Sequence, residues 1–305
     1  MPLPRHLTLR HQRLGRRSTA GLLIAALAAT ALGCSRTGDD GDDRGNLDVM
    51  IDSLVASLSP DGPYRDPRKA ERQAARQAVG QLIDGGTEPP AKLLSGVGFR
   101  AVHGVQATDG RKFTFYRADE DTGWGGLLVE PSVPIRSVVE VPHPAYDLNT
   151  EKLGLDLFRR LPGSAMLIAG AHRQAEGDDA DVAHNDRSMF HVFSEEFAER
   201  GVPQLQLHGF ADRSLPGADA VVSTGAGPEN ELAVRIAREL KAEDVRVCRA
   251  WVSHCVGLEG TTNVQGTTAA EHGAEFVHLE LGWGLRRDES GRQLVRDAVV
   301  AAWNG

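Results

Sequence analysis

The sequence predicts an α/β fold: a largely parallel or mixed central sheet flanked by helices, with a helical and β-hairpin extension on its N-terminal side. Three features predict it. From Gly126 onward, short apolar runs alternate with stretches of helical periodicity. Histidines and carboxylates stand at or just beyond the C-terminal ends of several of these runs, where neighbouring parallel strands open at one sheet edge. Ahead of residue 126 the pattern changes to two helical stretches and one alternating pair.

Residues 1–33 read as an export signal. Arg5, Arg10, Arg13, Arg16 and Arg17 precede Ala20 to Leu32, an uncharged, mostly apolar stretch shorter than the roughly 20 residues that span a bilayer. The segment Ala31-Leu32-Gly33-Cys34 resembles the cleavage box of bacterial lipoproteins, which implies lipidation at Cys34; a plain signal peptide is the alternative. The expected destination is the cell envelope, with the chain anchored to a bacterial membrane through its N-terminal lipid. Residues 34–46 then form a flexible acidic tether, since Ser35 to Asn46 carry no apolar side chain but include Asp39, Asp40, Asp42 and Asp43. Without residues 1–33 the chain holds 29 basic and 42 acidic side chains, a formal charge of −13, which argues against nucleic acid as a partner. Aromatic residues make up only 5%, so the core must be built mainly from Val, Leu, Ile and Ala.

The N-terminal extension covers 47–125. Val49, Ile51, Leu54, Val55 and Leu58 suit one helix, Lys69 to Ile83 suits another after Pro67, and Phe99 to Arg117 alternates around Asp109-Gly110 as a hairpin. The α/β domain covers 126–305. Its expected strands are Leu127–Glu130, Ser137–Val141, Ala165–Ala169, Gln204–Leu207, Ala220–Ser223, Val245–Arg249 and Glu275–Leu281. Its expected helices are Glu151–Leu161, one from about Ser188 to Arg200, one opening at Pro228 with Leu232, Ile236 and Leu240 inward, and one after Asp288. Cys248 and Cys255 either pair as a disulfide or lie as two buried thiols.

The chemistry-bearing residues follow the strands. Ser137 to Pro142 delivers His143, with Asp147 four residues on; Gln204 to Leu207 delivers His208; Phe276 to Leu279 delivers Glu280. Two imidazoles and a carboxylate are the protein ligands of an open catalytic zinc site, and one further carboxylate serves as general base. Period-two alternation puts Phe276, His278 and Glu280 on one face, and a carboxylate there is expensive to bury without a partner or a role. Arg286 or Arg287 would be the structural partner. Between these elements lies a polar loop. Its His172, Asp181 and His184 form a rival ligand set, while Arg173 is the candidate for holding a substrate carboxylate, with Arg187 and Arg286 as the others for that contact and Asn185 as a further substrate-binding candidate. The glycine-rich segment Gly257 to Gly266 is either a turn-forming loop or a pocket wall contributing Asn263 and Gln265. No Gly-x-Ser-x-Gly elbow is present, which disfavours a serine hydrolase.

The order His-x3-Asp, Arg-bearing loop, strand-His-Gly and strand-Glu, over about residues 137 to 287, resembles the zinc carboxypeptidase superfamily. It looks most like the branch that contains N-formylglutamate amidohydrolases and poly-γ-glutamate hydrolases. The carboxypeptidases usually place a glutamate after two intervening residues, whereas this chain has an aspartate after three. The resemblance implies one zinc ion per chain on His143, Asp147 and His208, Glu280 as base and Arg173 in substrate binding. The expected activity is hydrolysis of an amide bond in a glutamyl, N-acyl amino acid or peptide substrate. The alternative is a non-catalytic, surface-anchored binding lipoprotein, which predicts no stoichiometric zinc.

Overall fold

The computed structural model describes residues 46–305, apart from 85–88, 107–108 and 132. The signal, lipidation and tether readings, including Cys34, lie outside the described residues except for Asn46. That residue caps helix α1 (Leu47–Ala56) by accepting from the Asp48 N–H. Helices α2 (Lys69–Asp84) and α3 (Pro90–Ser95) follow, then strands β1 (Phe99–Val105), β2 (Lys112–Ala118), β3 (Gly126–Val129) and β4 (Ser137–Val141). Next come α4 (Thr150–Arg160), β5 (Ser164–Ile168), α5 (Met189–Glu199), β6 (Gln204–Phe210), β7 (Ala220–Ser223), α6 (Glu231–Ala242) and β8 (Val247–Arg249). The chain closes with α7 (Val264–His272), β9 (Phe276–Gly282), α8 (Trp283–Arg286) and α9 (Glu289–Asn304). Among the described residues, no helix is long and apolar enough to cross a membrane.

The described strands form one mixed sheet of nine in the order β1-β2-β3-β5-β4-β6-β9-β7-β8. Its centre, β5-β4-β6-β9, is parallel, whereas β1, β2 and β3 join antiparallel at one side and β7 runs antiparallel to β9. The hairpin of the N-terminal extension is thus hydrogen-bonded into the same sheet as the rest of the chain. The connection β4-α4-β5 leads to one side of β4, and β5-α5-β6 crosses to the other. A crevice therefore opens between the C-terminal ends of β4 and β6, as at the switch point of doubly wound sheets.

Two cores cover the two faces. On one, Val139, Val141, Leu205, Leu207, Leu279 and Leu281 pack with α1, α4, α6 and α9. On the other, Val138, Ala165 and Leu167 pack with α2, α3 and the phenylalanines of α5, Phe190, Phe193 and Phe197. Because side chains alternate along a strand, the partners of Leu205 and Leu207 on β6 are Gln204, Gln206 and His208, all buried against the second face. Register carries that polarity across the sheet: Gln206 pairs with Glu140 of β4 and His278 of β9, and His208 pairs with Glu280.

Helix starts follow side-chain caps: Ser188, Asn230, Asn263 and Asp288 each accept a backbone N–H of the first turn. In α1 the inward face is Leu47, Met50, Ile51 and Leu54, leaving Val49 exposed. Helix α7 occupies the region after the glycine-rich loop. Trp124, Gly125 and Gly170 sit where β3 and β5 converge: a Cβ on Gly125 would lie 2.0 Å from the Ile168 carbonyl oxygen and 2.5 Å from the Gly170 nitrogen.

Glu140 is fully buried and accepts from Gln206 Nε2 at 2.8 Å. Burial pushes its pKa from 4.5 up to about 7, with hydrogen bonds from Gln206 and Ser194 opposing the rise. Between these values the native state keeps a proton that the unfolded chain has lost, so Glu140 makes stability fall as pH rises through that window. We expect Glu140→Gln to abolish this decline, a relative gain on the order of 3 kcal/mol between pH 5 and 8. Urea midpoints of both proteins at the two pH values check it; parallel pH profiles would refute it.

Candidate metal centre

The loop after β4 determines the first half of the site. Pro142 and Pro144 flank His143, and the Tyr146 and Asp147 N–H groups both donate to the His143 carbonyl, at 3.0 and 2.8 Å. This single turn brings the side chains at positions i and i+4 together. Asp147 does not cap α4, whose N-cap residue is Asn149. Its Oδ2 instead lies 3.3 Å from His143 Nδ1 and 3.2 Å from Nδ1 of His208, which β6 delivers. The ligand atoms of His143, Asp147 and His208 all fall within 4.8 Å of one another, and all three residues are buried.

The far nitrogens of the two rings are also occupied. His143 Nε2 is 2.8 Å from Asp181 Oδ1, and His208 Nε2 is 2.6 Å from Gln206 Oε1. Each of these oxygens accepts, so each Nε2 has a partner for a proton, and a neutral ring that carries its proton there presents the Nδ1 lone pair to the Asp147 carboxylate. Three electron-rich atoms converging in a buried space require a cation between them, and two nitrogens with one carboxylate oxygen suit zinc. The electrostatics agree. Burial lowers the His208 pKa to about 4, aided by neighbouring His278, which favours the neutral ring. Burial also opposes charge on His143, but the Asp147 and Asp181 carboxylates outweigh it and raise its pKa.

Glu280 stands beside this cluster across from His208, lining the same pocket of about 150 Å³ with His143, His208, His278 and Arg173. Glu280 Oε1 is 3.5 Å from His278 Nε2, and Oε2 is buried without a hydrogen-bond partner. Arg286 is not its partner. Its guanidinium, closely packed against Gly209, donates to the carbonyls of Leu281 (3.0 Å), Leu148 (2.5 Å) and Phe210 (3.3 Å). The expectation that Arg286 holds substrate is therefore corrected: its donors fasten the end of β9 to β6 and the loop before α4. Asn185 is corrected likewise. It lies outside the pocket lining, and its Nδ2 donates to Tyr64 Oη, Asp66 Oδ1 and the Asp179 carbonyl, tying the polar loop to the N-terminal extension.

Arg173 does line the pocket, pairing with Asp181 and lying over the Tyr146 ring at 5.1 Å. The rival ligand set does not assemble among the described residues. Asp181 meets His184 at 3.1 Å, but His172 accepts from the Gln174 N–H instead, and Asp181 serves as the partner of His143. Cys248 and Cys255 are joined in a disulfide at the base of the loop whose later residues, Gly257 to Asn263, form one pocket wall. Sequence reasoning missed Gln206 and did not give His278 a place in the site. Their signal was available, because alternation from His208 and Glu280 puts both on the same sheet face.

No family model matches the chain, and no curated protein matches it. Among solved structures it is similar to a bacteriophage poly-γ-glutamate hydrolase, at 15% identity over 58% of this chain and 87% of that one, with a TM-score of 0.44. It is also similar to the aminopeptidase LapA of Legionella pneumophila, at 9% identity over 83% of this chain and 67% of that one, TM-score 0.37. A third similarity is to an aspartoacylase family protein from Mesorhizobium loti, at 15% identity over 66% and 67% of the two chains, TM-score 0.36. Each is a partial likeness of fold.

Proposed function

We propose that this chain is a zinc-dependent hydrolase that cleaves an amide bond in a substrate carrying a carboxylate, such as a glutamyl, N-acyl amino acid or peptide substrate. The observation that carries it is the convergence of His143 Nδ1, His208 Nδ1 and Asp147 Oδ2 beside a carboxylate oxygen of Glu280 that has no partner. These three residues would hold the ion. A zinc ion there supplies Lewis acidity, which lowers the pKa of water and polarises a carbonyl. Glu280 would take a proton from the attacking water, a role supported by its place in the lining of the pocket that it shares with both histidines. Arg173 offers a planar fork to the substrate carboxylate, which would replace part of its pairing with Asp181. A pocket of about 150 Å³ takes one end of a substrate and leaves the remainder outside. The basic and apolar pattern of residues 1–33 with Cys34 supports the companion proposal of an exported, lipid-anchored enzyme.

The test is the metal content of the purified protein beside His143→Ala and His208→Ala. The expected result is about one zinc per chain, lost in both variants. A wild-type protein that stays metal-free under zinc-replete conditions would overturn the reading and favour a binding lipoprotein.

A further inference from the structure

The Gln206 amide is fully buried, and four partners surround it. Its Oε1 accepts from His208 Nε2 at 2.6 Å and from Asn263 Nδ2 at 2.5 Å. Its Nε2 donates to Glu140 Oε2 at 2.8 Å and to Gln265 Oε1 at 3.2 Å. A side-chain amide fits a cavity almost equally well when turned end for end, so its sense must be imposed by groups that cannot turn. Two backbone groups do so here. Asn263 is the N-cap of α7, and its Oδ1 accepts from the Gly266 N–H at 3.0 Å. A backbone N–H only donates, so Asn263 must point its own donor, Nδ2, at Gln206. From the other side, Gln265 Nε2 donates to the Val182 carbonyl at 2.8 Å. A carbonyl only accepts, so Gln265 turns its oxygen toward Gln206. Both constraints give Gln206 the same sense, with its oxygen toward His208.

We propose that Asn263 and Gln206 are positioning residues that fix the neutral tautomer of His208 with its proton on Nε2, making Nδ1 the nitrogen that would bind metal. The functional consequence rests on the zinc reading above; the tautomer itself does not. The arrangement counters a competing form. His208 Nδ1 is 3.2 Å from Asp147 Oδ2, so a ring free to choose would place its proton there, and a protonated Nδ1 cannot be a ligand. The polarity of the α7 start and of the Val182 carbonyl is thereby passed through two side chains to the ring.

The experiment is long-range 1H–15N NMR of the metal-free protein, with zinc affinity measured by competition against a chromophoric chelator. The wild-type His208 ring is expected to show the Nε2–H pattern. In Gln206→Met, which keeps the volume but removes the acceptor, the proton should move to Nδ1 and zinc affinity should fall by about 10- to 100-fold. Gln206→Glu, still an acceptor, should restore the wild-type tautomer, a rescue that a purely structural role would not give. Should Gln206→Met fail to fold, Asn263→Ser carries the test. It keeps an oxygen for the Gly266 N–H but withdraws the amide donor, and should shift both readouts in the same direction by less. A wild-type Nδ1–H pattern, or a Gln206→Met ring and zinc affinity like the wild type's, would overturn the proposal. An Nε2–H ring in a protein that takes up no zinc would support the tautomer assignment and overturn the metal reading.

Discussion

Glu280→Gln should bind zinc as the wild type does and hydrolyse its substrate on the order of 10³-fold more slowly. The two halves of that result have separate causes. The converging ligand atoms belong to His143, Asp147 and His208, so exchanging one oxygen of Glu280 for an NH2 group removes no ligand. The same exchange removes the basicity of the carboxylate whose Oε2 has no partner and whose residue lines the pocket. Volume and the approach to His278 are kept, so melting should be little altered. Steady-state rates on a panel of N-acyl and γ-glutamyl substrates, with zinc counted in the same samples, provide the check. Undiminished turnover would remove Glu280 from the chemistry, and loss of zinc would make it a ligand instead.

The largest effect on stability is expected at Gly125. Its φ of +81° is one that side-chain-bearing residues rarely adopt, and a Cβ would meet the Ile168 carbonyl oxygen at 2.0 Å and the Gly170 nitrogen at 2.5 Å. Those are backbone atoms of the β5 end and its exit, which no rotamer change can move. Backbone strain of about 1–3 kcal/mol and overpacking of a similar size make Gly125→Ala cost about 3 kcal/mol or more, a large part of the stability of an ordinary domain. Denaturant unfolding would show a much lower midpoint, or no folded protein. A midpoint near that of the wild type would mean that β3 and β5 approach less closely than described. The defect should reach the site as well, because the strand end next to Gly125 leads through Gly170 to Arg173.

Much of the fold was legible because its signals are local. Alternation, apolar runs and cap residues located most strands and helices of the α/β domain to within a residue or two, and β4 and β7 match the expected spans, but β6 runs three residues past the expected Leu207 to Phe210 and α6 starts at Glu231, three residues after Pro228. Helix α7 was less visible, since Val264-Gln265-Gly266-Thr267-Thr268 contains a glycine and β-branched residues that individually disfavour helix. What stabilises its start is the Asn263 cap, which looks like any loop asparagine in a sequence. The site divided along similar lines. His143, His208 and Glu280 stand out because each follows or ends an apolar run. Arg286 and Asn185 were misread because a polar side chain near a site announces a hydrogen bond but not its partner. For both, that partner is set by where distant backbone carbonyls and the N-terminal extension come to rest.

The continuity of the sheet has a consequence for dividing this chain. A polypeptide beginning at Gly126 would retain the cluster of His143, Asp147, His208 and Glu280, yet β3 would lose the partner that its residues Gly126 to Val129 have in Arg117 to Thr114. Its free N–H and C=O groups would form an open edge, and removal of Phe113 and Phe115 would uncover apolar side chains that those rings now shield. Such an edge invites pairing between copies. The N-terminal extension therefore covers an edge of β3 that residues 126–305 alone would leave open.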